Sequence, residues 1–295
     1  MRYAFPIAAL AALLLAAPAE ATFPGHSGAF AFSALDKHNR EAIFTELPDR
    51  THLHRVHLSG HSPTWSKNGR RLLFVDGQGL GVVNADGSGY KHFDAPENVS
   101  ADDPTWAPDG KHVAFTGFKS DPASPENEIT DTAVYAGRLG APFKRIQPGS
   151  QPSWSPGGKR IAYVRPGTCT GIWTMRPDGT ARHRVTGRTK EQCRVFGIAG
   201  ADPDYGPTGK SIVYTRPVKK AGNASERNFE VFVVNADGSH DRRVTHTAKA
   251  DEANPTISPD GGTIAYSSFG SPQGTFYGGG TRFRGDVLGV SWQPR

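Results

Sequence analysis

The chain has 295 residues, 36% hydrophobic and 21% charged, with a formal net charge of +6. Its 35 glycines and 23 prolines make about a fifth of the whole, against an average near 12%; turns are therefore dense, which excludes coiled coils, helical bundles and wholesale disorder. Two cysteines are too few for a four-cysteine zinc site or a disulfide-dense miniprotein, and basic residues alternate with acidic ones instead of clustering among aromatics, which argues against nucleic-acid binding.

The first element in chain order is Met1 to Ala21: Arg2, an apolar run from Phe5 to Ala17, and the small-x-small close Ala19-Glu20-Ala21. This reads as a secretory signal peptide. Pro18 and Glu20 cut the run short of the ~20 apolar residues that a membrane anchor needs, and no second span of that length follows. The expectation is one soluble domain over 22–295, secreted or periplasmic, where disulfides persist.

Beyond the leader, Gly28 to Ser33, Glu41 to Leu47 and Leu53 to Leu58 read as three strands, and a repeat then begins. Ser62-Pro63-Thr64-Trp65-Ser66-Lys67-Asn68-Gly69 returns as Asp103-Pro104-Thr105-Trp106-Ala107-Pro108-Asp109-Gly110 and as Gln151-Pro152-Ser153-Trp154-Ser155-Pro156-Gly157-Gly158. Weaker copies start at Asp202-Pro203-Asp204-Tyr205 and Asn254-Pro255-Thr256-Ile257, and each copy leads into an apolar run such as Ile161-Ala162-Tyr163-Val164. In the Pro-Asp-Gly element, Pro fixes φ and Gly supplies a positive φ, so the flanking strands fold back as a hairpin. A second turn recurs at Asn84-Ala85-Asp86-Gly87, Arg176-Pro177-Asp178-Gly179 and Asn235-Ala236-Asp237-Gly238. Each repeat therefore holds four strands, a to d, at a period of about 41 to 52 residues, which is that of a propeller blade. The repeats cover about 60–98, 100–148, 150–190, 200–247 and 252–283. Val290-Ser291-Trp292 starts a further copy and stops, and the three N-terminal strands supply what it lacks. The fold class expected is all-β: a six-bladed β-propeller of four-stranded blades, one of them split between 28–58 and 286–294 and closed by pairing of the C-terminal strand with the N-terminal blade.

The Pro-x-Trp-Ser-Pro-Asp-Gly-Lys pattern with its later Asn-x-Asp-Gly turn resembles the WD-repeat-like propeller of the TolB family, also found in prolyl oligopeptidase-type peptidases. The resemblance covers about residues 28 to 295. It implies the propeller alone, without the α/β domain that precedes it in TolB and without the hydrolase domain of the peptidases.

Strand parity puts the a–b and c–d turns on one face, and the b–c and d–a connections on the other. The second face gathers the long segments Phe93 to Asp102, Lys119 to Thr130, Gly187 to Ala201 and Arg216 to Arg227, where binding usually resides. Strand a starts there too, so Ser62, Asp103, Gln151, Asp202 and Asn254 form a polar ring at the channel mouth, with Asp102, Asp204, Asp251 and Glu252 nearby. Such a ring could recognise a polar ligand or hold a divalent cation; the alternative is that these side chains cap strand ends and hydrate the channel. No other cofactor is expected. Cys169 and Cys193 fall in a b–c and a d–a connection, hence on one face, which predicts a disulfide, with free thiols or a metal pair as alternatives.

A Gly-x-Ser-x-Gly elbow is absent, and Ser258-Pro259-Asp260-Gly261-Gly262, which superficially resembles a sialidase Asp-box, fits the ordinary hairpin better. His52, His54, His57 and His61 crowd the end of the split blade as solvated residues, and Trp65, Trp106, Trp154 and Trp292 read as blade packing. The leading expectation is a non-catalytic, monomeric exported propeller that binds a protein, peptide or cell-envelope ligand through its long-loop face. The alternative is a channel-mouth enzyme, a metal-assisted polysaccharide lyase or hydrolase using Asp103, Asp202 and Asp251, since propellers of this resemblance include oligogalacturonate lyases.

Overall fold

The a–b hairpins form where the repeat places Gly after a short polar run. The carbonyls of Ser66, Ala107, Ser155, Gly206 and Ser258 accept the amides of Gly69, Gly110, Gly158, Gly209 and Gly261 at 2.8–3.0 Å. These five glycines have φ between 64° and 78°, a region closed to most side chains. The second turn is equally regular, with Gly87, Gly179 and Gly238 at φ of 83–85°. Each is locked by an Asp: Asp86, Asp178 and Asp237 accept the amide two residues on, at 2.8–2.9 Å.

The computed structural model describes residues 23–295 except 37, 122, 124–127, 191, 194–196, 221–222, 248–249, 271–273, 278–280 and 285–287. The leader expected at Met1 to Ala21 lies outside them. The described strands form four-stranded antiparallel sheets, the blades of a β-propeller. The repeats predict six blades. Instead, five are each drawn from one continuous run: the first over His61–Phe93, the second over Val99–Pro148, the third over Ser150–Arg184, the fourth over Ala201–Arg243 and the fifth over Ala250–Arg284. The remaining strands Ser27–Leu35, Glu41–Glu46, His54–His57 and Leu288–Pro294 form a sheet across the two chain ends, in which Phe30 pairs with Trp292 and Ala31 with Ser291.

Two aromatic positions per repeat fill the core. Trp65, Trp106, Trp154 and Trp292 are buried, and Tyr205 and Ile257 are buried where the weaker copies replace Trp. On strand b, Phe32, Phe74, Phe115, Tyr163 and Tyr214 are completely buried. Close fit to these rings explains a glycine on strand c: a Cβ at Gly81 would stand 2.4 Å from the Phe74 ring. Hydrogen bonds also cross between blades. The hydroxyls of Thr105 and Ser153 accept the amides of Trp154 and Tyr205 at 3.3 and 3.0 Å, and the Trp106 indole donates to the Thr64 carbonyl at 3.2 Å.

One long segment is not a loop. Arg216 to Arg227 belongs to a hairpin of Ser211–Lys220 and Asn223–Asn235, with Pro217 opposite Phe229. Strand a reaches only as far as Ala201 opposite Thr215; past that point strand b is an edge, where the N–H that proline lacks has no partner to lose. Lys119 to Thr130 has strand only at its two ends, in His112–Ser120 and Ile129–Arg138. In Phe93 to Asp102, the last four residues already belong to the inner strand Val99–Trp106.

Cys169 and Cys193 form a disulfide with their Cα atoms 5.5 Å apart. It clamps the b–c connection of the third blade to the segment leading into the fourth, beside a parallel bridge between Thr170 and Ile198. Closing a loop of 24 residues stabilises the fold by about 3 kcal/mol in the chain-entropy model. The Cys169→Ser, Cys193→Ser double variant should therefore unfold at lower denaturant, with a slope as steep or steeper because the unlinked denatured chain exposes more surface, a comparison that equilibrium urea melts make directly.

Candidate functional site at the channel mouth

The five repeat positions before proline share an unusual backbone. Ser62, Asp103, Gln151, Asp202 and Asn254 have φ of 55°, 49°, 52°, 50° and 52°. Left-handed geometry costs most non-glycine residues roughly 1–2 kcal/mol, and Asn and Asp less, and a following proline pushes its neighbour toward extended geometry instead. Each residue sits at a register shift between strands a and b, such as that between the Asp102 and Thr105 pairings or the Ala253 and Thr256 pairings. Such bulges re-aim side chains near functional sites.

The bulges bring all five positions into one hydrogen-bonded arc across five blades. The Ser62 hydroxyl donates to Asp102 at 3.4 Å, and the same carboxylate oxygen accepts the Asp103 amide at 2.8 Å. Thr116 donates to Asp103 at 2.7 Å and accepts the Gln151 amide at 2.8 Å. The Gln151 carboxamide donates to Asp202 and accepts the Asp202 amide at 3.1 Å. Asp202 closes the arc by accepting from the Thr215 hydroxyl at 3.0 Å and the Asn254 amide at 3.5 Å. Asn254 is 1% exposed, yet neither its carboxamide oxygen nor its nitrogen has a partner, and the buried Ser267 hydroxyl has none either. Buried polar atoms without partners are costly.

Burial raises the pKa values of the arc's carboxyls. Asp202 is pushed up to about 6 by desolvation. Asp103 is raised well above the usual range by desolvation and by the neighbouring Asp102 carboxylate. Asp102 is raised by burial and partly restrained by His61, whose ring stands 3.7 Å away. Desolvation thus biases the carboxyls of the mouth toward their neutral forms.

Glu252 belongs to a separate buried pair between the fourth and fifth blades. The Thr245 hydroxyl lies against both Glu252 and Glu230, and one hydroxyl proton serves one carboxylate. Glu230 is neutralised by Arg243 at 2.7 Å and bonded by Asn228 and Thr247. Glu252, 1% exposed with Oε1 unpartnered, is pushed up to about 7, desolvation being the main cause. Of the other acids read from the sequence, Asp204 is buried and bonded by Ser153 and Thr256 at 3.2 and 2.9 Å. Asp251 is exposed and accepts the Phe229 amide at 2.8 Å.

His52 and His54 are exposed, and His57 stacks near Tyr90 at 4.5 Å. His61, grouped by sequence with these three, instead joins the arc, 3.0 Å from the Ser62 hydroxyl. Thr116 and Thr215 went unnoticed in the sequence, although a hydroxyl follows the strand-b aromatic at Thr116, Thr215 and Ser267. Among the described residues no three His, Cys, Asp or Glu side chains gather as a metal cluster, and no helix is long and apolar enough to cross a membrane.

Repeated four-stranded blades with a polar inner mouth define a β-propeller. No family model matches the chain. It is similar to the uncharacterized peptidase YuxL of Bacillus subtilis, 24% identical over 204 residues; the match covers 58% of this chain and 30% of that protein, so the chain spans under a third of that relative's length. Among solved structures it is similar to TolB from Acinetobacter baumannii, with a TM-score of 0.68, 17% identity and coverage of 91% of this chain and 67% of that one. An oligogalacturonate lyase in complex with manganese follows at TM-score 0.58 and 14% identity, covering 84% of this chain and 71% of that one. A gluconolactonase of Xanthomonas campestris gives TM-score 0.54 and 14% identity, with coverage of 91% and 88%. These likenesses are of fold.

A carboxyl whose pKa is raised on folding stabilises fully below its unfolded pKa and loses that contribution as pH rises through the folded value. For Asp202, at about 6 against 3.8, and Glu252, at about 7 against 4.5, the loss falls between pH 4 and 7 and is at most about 3 kcal/mol each. Thermal midpoints should therefore drop as pH rises through that window, and the Asp202→Asn, Glu252→Gln double variant should flatten the profile.

Proposed function

We propose that the protein is an exported, non-catalytic propeller of six blades that binds a protein, peptide or cell-envelope ligand on the face carrying the arc. The observation that carries this reading is the Asn254 carboxamide, buried and unpartnered at the end of a chain of hydrogen bonds made by strained residues. An arrangement costly to folding is retained where a ligand supplies the missing partners.

Six blades and closure rest on the C-terminal strand. Besides pairing with Ser27–Leu35, it approaches the inner strands of both the first and the fifth blade. The Ser291 hydroxyl accepts the Trp65 amide at 3.2 Å, and the Gln293 carboxamide donates to the Gly69 carbonyl at 2.8 Å. Export rests on the apolar leader and fits the disulfide.

A second reading, a channel-mouth enzyme acting on polysaccharide, draws on Asp103 and Asp202, whose raised pKa values suit a general acid. The two readings separate in one experiment. Wild type, Asp202→Asn and Asn254→Asp, each immobilised, are presented with the producer's exported fraction and separately with a polysaccharide panel. Binding predicts a species retained by wild type, at least ten-fold depleted on both variants, and no turnover. Polysaccharide turnover that vanishes with Asp103→Asn in a folded protein would replace it with the enzyme.

A further inference from the structure

On the opposite face, where the tight turns lie, the first and second blades part around a half-open cleft of ≈ 460 Å³, within the range of roughly 300–1,000 Å³ typical of ligand sites. Its floor is apolar, from Val82, Phe93 and Leu139, and its rim carries four cations: Arg71, Lys91, Lys111 and Arg138. No described carboxylate forms an ion pair with any of the four. Of the acids near in sequence, Asp76 and Asp94 pair with His92, and Asp86 and Asp109 are engaged within their own turns. Asp86 accepts from Ser88 at 2.7 and 2.9 Å, and Asp109 accepts the amides of Lys111 and His112 and pairs with the His112 ring at 2.6 Å.

The walls are fixed. The Leu139 amide donates to the Lys111 carbonyl at 3.0 Å. The Arg71 guanidinium donates to the Gly110 carbonyl at 2.7 Å and stacks over the Trp106 ring at 4.9 Å. Interblade packing does not itself demand this charge. The equivalent cleft at the edge of the split sheet, ≈ 400 Å³, has Thr45 and Leu47 where this one has Val82 and Asn84, and Arg295 is its one arginine or lysine.

We propose that this cleft binds an acidic peptide segment of a partner protein, its carboxylates on Lys91, Lys111 and Arg138 and an apolar side chain on Phe93 and Leu139. Unpaired cations gathered on separate turns around an apolar floor complement a chain that alternates carboxylates with a hydrophobic anchor. A half-open cleft lets such a chain enter and leave, whereas a small anion would remain largely in water. Rim charges of this kind act mainly through steering and are sensitive to salt. The site is independent of the arc on the other face.

The test uses fluorescence anisotropy of a fluorescein-labelled peptide of eight glutamates with a central phenylalanine, at low ionic strength. The full protein is compared with Arg138→Glu, Lys111→Glu and, as a control of equal charge change on the same face, Lys159→Glu. All three positions are exposed, and thermal melts verify folding. The proposal expects saturable binding, weakened at least ten-fold by either of the first two variants and less than two-fold by the control. Absence of binding overturns it, as does equal weakening by Lys159→Glu or equal affinity for the same peptide with glutamine in place of every glutamate. Pyrophosphate binding as tightly, with the same sensitivity to the variants, would make this a small-anion site and overturn the peptide assignment.

Discussion

A polar residue held left-handed in front of a proline, five times over, is the constraint on which the inner surface of this propeller depends. At Ser62, Asp103, Gln151, Asp202 and Asn254 the local preference of the chain is overruled. What overrules it is the neighbourhood: a proline and aromatic on the same strand, a buried aromatic on the next, and hydrogen bonds to the adjacent blade. The bulge that results inserts an extra residue into each inner strand and turns its side chain into a shared network.

Blade-to-blade cohesion follows from the same short segment. The residue before the inner aromatic carries the hydroxyl that receives the next blade's amide, as Thr105 does for Trp154 and Ser153 for Tyr205. Ser291 makes the identical contact with Trp65 from the far end of the chain. One tripeptide per repeat thus supplies a core side chain, an interblade bond and a mouth residue. Its drift to Asp204-Tyr205 is accommodated because the Asp204 carboxylate finds Ser153 and Thr256.

Much of the fold was legible because turns and packing are written locally. Glycine at a positive-φ position and an aromatic every repeat are direct physical signals, and so the hairpins, the tryptophan positions and the disulfide were readable. The candidate site was legible only in part. The positions before proline stood out as polar, but the sequence rule for such positions predicts extended backbone, so neither the left-handed geometry nor the arc could be read. Arg216 to Arg227 read as a long connection, yet it continues the hairpin, and strand b has no inner neighbour at Pro217 and tolerates it. Glu252 read as one of the acids near the ring, but its pairing with Glu230 needed the fourth blade in place.

The two faces now divide the chemistry: buried, strained and hydrogen-bonded polar groups at the mouth, and unpaired cations over an apolar floor on the side of the tight turns. The account's central claim is that the mouth geometry is costly to folding and serves a ligand. Asn254 tests it most directly, since its carboxamide makes no hydrogen bond and the C-terminal partial copy already has Gly289 at the matching place. The decisive measurement is the thermal midpoint of Asn254→Gly. Relief of the left-handed strain and removal of a buried, unpaired amide should leave the midpoint unchanged or raise it. A fall of about 4 °C or more, roughly 1 kcal/mol or beyond for a chain of this size, would show that the residue is there to hold the fold and would contradict the account.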